Sequence, residues 1–186
     1  MAGELRVTGG RLVRRRFKVP DLADKGLVRP TSDRVREALF SSLGPHLDGA
    51  RVLDAFAGSG ALGIEALSRG AARATFLEKD PRVARVLRDN LATLGLTDEA
   101  EVRVGDARRA LATLDEGAFD LVLADPPYAL ALDEELLAGL ARAVAEGGLL
   151  VLERDTRSQD PVVPGLSLCR DRVYGSTRVS TWEKPS

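Results

Sequence analysis

From Arg51 onward the chain alternates between short apolar runs and amphipathic stretches, and few architectures accept that alternation. The apolar runs fall at 52–53, 74–77, 102–104, 119–124 and 149–152, with helical periodicity between them near 60–69, 81–94, 106–114 and 133–146. Parallel strands need a crossover to reach one another, and a helix of this length supplies it, so the pattern predicts a doubly wound, mostly parallel α/β sheet covered on both faces. Two more strands, 166–173 and 177–182 around Tyr174-Gly175-Ser176, read as a terminal antiparallel pair and bring the sheet to seven. Ahead of this core, residues 4–19 alternate weakly around Gly9-Gly10 and read as a small β-hairpin. Residues 21–30 read as a connector, and Thr31 or Ser32 caps a helix running to Ser42. We therefore divide the chain into a hairpin arm and connector at 1–28 and one domain at 29–186.

Composition removes several chemistries. The 186 residues hold one cysteine, Cys169, and one histidine, His46, which leaves no disulfide framework, no Cys/His zinc site and no Ser-His-Asp triad. No metal is expected. With 44% hydrophobic and 30% charged residues, no apolar run of about 20 residues and no apolar leader, a cytoplasmic monomer with no membrane contact is expected. Charge is placed unevenly. Residues 1–36 carry 10 basic and 4 acidic side chains, and the remaining 150 residues carry 17 and 24. Arg11, Arg14, Arg15, Arg16, Arg29, Arg34 and Arg36 are the candidates for a nucleic-acid backbone, although a solvated hairpin and a capped surface helix explain the same arginines.

The segment Leu53 to Gly63, reading LDAFAGSGALG, sits where the first core strand turns into a helix. Glycines there let a ligand approach the backbone while helix N–H groups face it. Gly58, Gly60 and Gly63 satisfy G-x-G-x-x-G, and Glu78 ends the next strand, placed to accept hydrogen bonds from ribose hydroxyls. This pattern serves a nicotinamide dinucleotide and S-adenosylmethionine equally. Asp54, Ala57, Gly58, Ser59, Gly60, Glu78 and Asp106 form the cofactor set. In it Asp54 can hold a cationic methionyl end, and Asp106 is either an acceptor for an adenine amine or a helix cap.

Asp125-Pro126-Pro127-Tyr128 follows the fourth run and carries the strongest chemical signal. Consecutive prolines stiffen the loop and remove two N–H donors, leaving the Asp125 carboxylate and the Pro126 carbonyl as acceptors. An exocyclic amine that donates to both has its lone pair turned toward an electrophile, and Tyr128 offers a face on which a base can stack. Catalysis by Asp125, Pro126, Pro127 and Tyr128 would then come from orientation and electrostatics rather than from a histidine base. A target base would have to be single-stranded or flipped to enter.

Gly9-Gly10, the run RPTSDRVREALF at 29–40, LDAFAGSGALGIEALS at 53–68, DPPY at 125–128 and Tyr174-Gly175 together resemble the RsmD family. The resemblance spans nearly the whole chain. It implies a class I S-adenosylmethionine-dependent methyltransferase fold and transfer to guanine N2 in 16S ribosomal RNA, free or in an assembling small subunit. It also implies that Gly58, Ser59, Gly60 and Glu78 contact the cofactor, Asp106 its adenine, and Asp125 to Tyr128 the target guanine. After Gly9-Gly10 the family tends to show an aromatic residue and another glycine, where this chain has Arg11-Leu12-Val13-Arg14. The alternatives are a DNA adenine-N6 or protein glutamine amino-methyltransferase, a nicotinamide-dependent oxidoreductase, and a non-enzymatic RNA-binding protein.

Overall fold

The computed structural model describes residues 3–20 and 32–186. A short antiparallel pair, β1 (Glu4–Arg6) and β2 (Arg16–Lys18), precedes helix α1 (Asp33–Leu43), whose first turn is capped by the Ser32 hydroxyl accepting from Val35 N–H. Strands and helices then alternate: β3 (Arg51–Asp54), α2 (Ala61–Ser68), β4 (Arg73–Glu78), α3 (Pro81–Leu94), β5 (Ala100–Val104), α4 (Ala107–Thr113), β6 (Phe119–Ala124), α5 (Glu134–Ala143) and β7 (Val144–Asp155). A final hairpin, β8 (Ser167–Tyr174) and β9 (Thr177–Glu183), completes the described chain. Among the described residues no helix is long and apolar enough to cross a membrane.

The seven-stranded sheet has the order β5-β4-β3-β6-β7-β9-β8. Its first five strands are mutually parallel, and β9 runs antiparallel between β7 and β8. Side chains of a strand alternate between faces, and here consecutive residues enter opposite cores. Val52, Leu121, Leu123 and Val151 pack with α1, α2 and α3, whereas Leu53, Val122, Leu150 and Leu152 pack with α4 and α5. Chain progression reverses between β3 and β6, which opens a crevice at the carboxyl ends of those strands.

Two boundaries differ from the sequence reading. The helix expected over 133–146 ends at Ala143, because Val144 is claimed by the sheet as the register partner of Phe119. Nor is Gly9-Gly10 a tight hairpin turn. Residues 7–15 form a wide loop with one 3-10 turn over Gly10–Leu12, laid against the end of α2. Thr8 donates its N–H (2.9 Å) and hydroxyl (2.6 Å) to the Glu65 carboxylate, the Ser68 hydroxyl donates to Gly9 O at 2.6 Å, and Leu12 N–H donates to Ser68 Oγ at 3.0 Å. With Val7 and Phe17 buried in the core of α1, α2 and α3, the hairpin is a built-in layer of the domain. The connector expected at 21–30, with Arg29 and Thr31, lies outside the described residues.

Gly10 has a φ of +76°, and a Cβ there would stand 1.9 Å from the Ser68 carbonyl oxygen. Gly95 has a similar φ of +72° with nothing within 4 Å. Gly95→Ala should therefore cost only the left-handed backbone strain, about 1–2 kcal/mol. Gly10→Ala should cost about 2–4 kcal/mol, because the loop must also lift from α2. Urea denaturation of both variants measures the difference, and equal losses would show that the close approach is immaterial.

Candidate active site

The turn after β3 uses its three glycines for three different reasons. Gly58 (φ +53°) faces open space, with nothing within 4 Å of a built Cβ, so its backbone is accessible from the crevice. At Gly60 (φ +87°), the residue before α2, a Cβ would lie 2.4 Å from Leu87 Cδ1; at Gly63 it would lie 2.2 Å from the Phe76 ring. The first glycine thus leaves room for a ligand, and the other two let α2 sit close to α3 and β4. Gly58 N–H donates to Glu78 Oε2 at 2.9 Å and Asp80 N–H to Glu78 Oε1 at 2.8 Å. Both carboxylate oxygens are thereby fixed in place, and each can still accept another donor.

Asp54, at the end of β3, is fully buried. Its Oδ2 accepts from Gly63 N–H at 3.0 Å, and its Oδ1 has no partner of hydrogen-bonding geometry among the described residues. Burial pushes the Asp54 carboxyl up to about 7; the Gly63 N–H opposes that, the charges of Asp125 and Glu78 reinforce it, and the Phe56 N–H opposes it weakly. The carboxylates of β3, β4 and the loop after β6 therefore converge closely enough to repel one another, and a cation placed among them relieves the repulsion. Asp106 is half-buried and caps α4, its Oδ1 accepting from Arg108 N–H at 3.0 Å and its Oδ2 lying 3.8 Å from Lys79 Nζ. The cap is realised, and acceptor capacity remains for a further donor.

Asp125 directly follows Ala124, whose register partner on β7 is Leu152, while Leu123 pairs with Asp54 across the reversal. Pro126 is buried, Pro127 is exposed, and Leu130 N–H closes the loop on Pro127 O at 2.8 Å. Tyr128 is 65% exposed, so its ring face is open to solvent. On the β7 side of this loop lies a cavity of about 580 Å³, lined by Pro126, Pro127, Tyr128, Glu153, Asp155 and Val162 among others. Glu134 and Asp160 add two further acids to its wall. The prolyl loop thus stands between the glycine turn over β3 and β4 and a cavity over β6 and β7 whose lining includes Arg154 as well as acids.

The arginines separate into classes that charge alone did not reveal. Arg36 is wholly buried: it donates to Arg6 O at 2.6 Å and Asp33 Oδ1 at 2.8 Å, and its Nε lies 3.9 Å from Glu65. It braces α1 against the hairpin, which removes it from the surface set expected to meet RNA. Arg11 pairs with Glu99, Arg15 reaches Thr93 O at 3.3 Å, and Arg16 lies 3.3 Å from Glu4, all on the exposed hairpin. Arg14 and Arg34 are exposed and hold no ion pair among the described residues. Cys169 lies exposed on β8, its thiol pushed up by burial of the sulfur and by Glu183, and its Sγ faces Thr181 O at 3.2 Å. A residue the sequence reading missed is Asn90, buried beside Ser59; its only signal is an amide at an apolar position of the α3 repeat.

The family model described as Conserved hypothetical protein 95 matches residues 5–183. Ribosomal RNA small subunit methyltransferase D of Escherichia coli K12 is 39% identical, the alignment covering 98% of this chain and 91% of that protein. The protein of the same name from Haemophilus influenzae is 43% identical over 73% of this chain and 70% of its own length. The solved structure of yhhF from Escherichia coli superposes with a TM-score of 0.85 at 40% identity, covering 98% of this chain and 99% of that one.

The position of Asp54 makes stability depend on pH. The unfolded carboxyl ionises near 3.8 and the folded one near 7, so the folded chain binds the extra proton between those values and loses stability as pH rises through them. The interval corresponds to roughly 4 kcal/mol. Asp54→Asn has no such titration, and its stability should fall far less over the same range. Chemical denaturation of both proteins in steps from about pH 4 to pH 8 reads this directly. Parallel profiles would mean that Asp54 is ionised throughout.

Proposed function

The chain belongs to the Conserved hypothetical protein 95 family, the RsmD family its motifs resemble, and on that premise we propose that it methylates the exocyclic N2 amine of a guanine in 16S ribosomal RNA, with S-adenosylmethionine as the methyl donor. The observation that carries this reading is the position of Asp125-Pro126 between a first compartment, the glycine turn with the carboxylates around Asp54, and a second, the cavity over β6 and β7.

The first compartment fits S-adenosylmethionine. The open backbone at Gly58, the buried Asp54 carboxyl and the mutually repelling carboxylates suit a ligand carrying an ammonium, a sulfonium and ribose hydroxyls. The diphosphate of a nicotinamide dinucleotide would bring negative charge toward the same carboxylates, which disfavours the oxidoreductase reading. Gly58, Ser59 and Gly60 would line the cofactor, Ala57 would shape the turn, Asp54 would face its cationic end, Glu78 its ribose and Asp106 its adenine. When bound, S-adenosylmethionine supplies an electrophilic methyl group.

The second compartment fits guanine. The Watson–Crick edge of guanine offers N1–H beside the N2 amine, whereas adenine sets an acceptor beside its amine. Glu134 and Glu153 on the cavity wall are placed to accept from the guanine edge, whereas Asp155 and Asp160 already pair with Arg157 and with Arg154 and Arg178. Asp125 and the Pro126 carbonyl accept the two amine hydrogens and turn the lone pair toward the first compartment. The Asp125 charge then offsets the positive charge developing on the nitrogen. Pro127 keeps the loop stiff and Tyr128 stacks on the base, a contact worth about 1–3 kcal/mol. The base must leave its helix to enter, and Arg14, Arg34 and the loosely paired Arg11, Arg15 and Arg16 are placed to hold flanking phosphates. The names of the relatives support a small-subunit ribosomal RNA substrate.

Labelled methyl should pass from S-adenosylmethionine to 16S RNA or subunits from a strain lacking the modification, and nucleoside analysis should find N2-methylguanosine. Asp125→Ala should lower kcat by about 10³-fold and leave affinity for S-adenosylhomocysteine unchanged. N6-methyladenosine instead would overturn the guanine assignment, and no transfer to either RNA or particles by folded, cofactor-binding protein would overturn the substrate class. Arg14→Glu combined with Arg34→Glu should weaken RNA binding across sequences and reduce the slope of log affinity against log salt by about two.

A further inference from the structure

The buried face of α3 runs Val83, Ala84, Leu87, Asn90, Leu91 and Leu94, one amide among apolar side chains. A buried amide is costly unless it is fully bonded. Asn90, 2% exposed, meets that condition in an unusual way. Its Oδ1 accepts from Lys18 N–H at 2.9 Å and its Nδ2 donates to Lys18 O at 2.8 Å, so the side chain pairs with β2 as a neighbouring strand would. The amide also donates to Ser59 O at 3.1 Å, between the two left-handed glycines of the cofactor turn. One helical turn earlier, Leu87 packs where Gly60 has no side chain. A leucine at position 90 would fill the space, and docking β2 alone would need one N–H; the second N–H goes to the turn.

We propose that Asn90 is a positioning residue for the cofactor turn, joining the backbone at Lys18 and the carbonyl of Ser59 into one unit, so that cofactor affinity depends on docking of the N-terminal hairpin. The inference rests on the S-adenosylmethionine reading and is independent of which nucleic acid is methylated. It gives the hairpin, otherwise a surface for phosphates, a share in the cofactor site. The other tethers of the hairpin go elsewhere: Thr8 to Glu65, Gly9 and Leu12 to Ser68, and Arg6 to Arg36.

The test compares Asn90→Asp, which keeps the shape and loses both donors, and Asn90→Leu with Ser68→Ala, which removes two bonds between the hairpin loop and α2 and leaves both the turn and the docking of β2 untouched. Calorimetric titration with S-adenosylhomocysteine, well below every Tm, should show about tenfold weaker binding for the two Asn90 variants and less than twofold for Ser68→Ala. Coupling is reciprocal, so in the unaltered protein saturating S-adenosylhomocysteine should slow hydrogen exchange at the Lys18 amide about tenfold and leave the Leu12 amide, bonded to Ser68, nearly unchanged. That measurement needs no variant to fold. Asn90 variants that bind as the unaltered protein does, or lose no more affinity than Ser68→Ala at a matched fall in Tm, would overturn the proposal. So would a Lys18 amide indifferent to the ligand. Unaltered protein that fails to bind S-adenosylhomocysteine would overturn the cofactor reading and this inference with it.

Discussion

A parallel strand reaches its neighbour only by crossing over a face of the sheet, and everything functional here follows from where the direction of those crossings changes. From β3 the chain steps outward to β4 and β5 over one face, then returns past its start to β6 and β7 over the other. At the reversal the loops after β3 and β6 part in opposite directions, and the gap between them cannot be closed by either helix layer. The glycine turn and Asp125-Pro126 occupy the two lips of that gap. Their proximity is thus a consequence of strand order, since 66 residues of sequence separate Gly60 from Pro126.

Electrostatics gives the gap its preference. A carboxylate as buried as Asp54 is unfavourable as an anion, and two further acids nearby make it more so. Burial therefore favours a retained proton, and any positive charge placed beside the carboxyl would oppose that. On the far side of the prolyl loop the acids line a cavity instead of crowding one buried site. Two of them, Asp155 and Asp160, pair there with Arg157 and with Arg154 and Arg178. The same residue type sits in two settings, distinguished by solvent exposure and by how close its like-charged neighbours stand.

Much of this was legible in the sequence because it is local. The runs from Val52 to Leu152 announced the strands, and LDAFAGSGALG and DPPY each carry their chemistry within a few consecutive residues at a strand end. What escaped reading depends on partners far along the chain. Arg36 shares a charge-rich run with Arg34, but the helical phase buries one against Glu65 and exposes the other. Gly9-Gly10 looked like a hairpin turn because that is the usual use of the pair; the α2 terminus that requires it lies almost 60 residues away. Asn90 had no motif around it, and its role appears only once Lys18 and Ser59 are seen on either side.

The hairpin contacts also impose an order on assembly. Its bonds to α1 span 27 to 30 positions, and those to later elements span 56 to 88, from Leu12 with Ser68 to Arg11 with Glu99. Closing loops of that size is entropically unfavourable until the helices they dock on exist, so the first strands of the chain are among the last to settle. Before that step Val7 and Phe17 have no place to bury, and the Asn90 amide lacks its two bonds to Lys18. A chain caught at that stage would have its main sheet without the layer that the hairpin adds to the core of α1, α2 and α3.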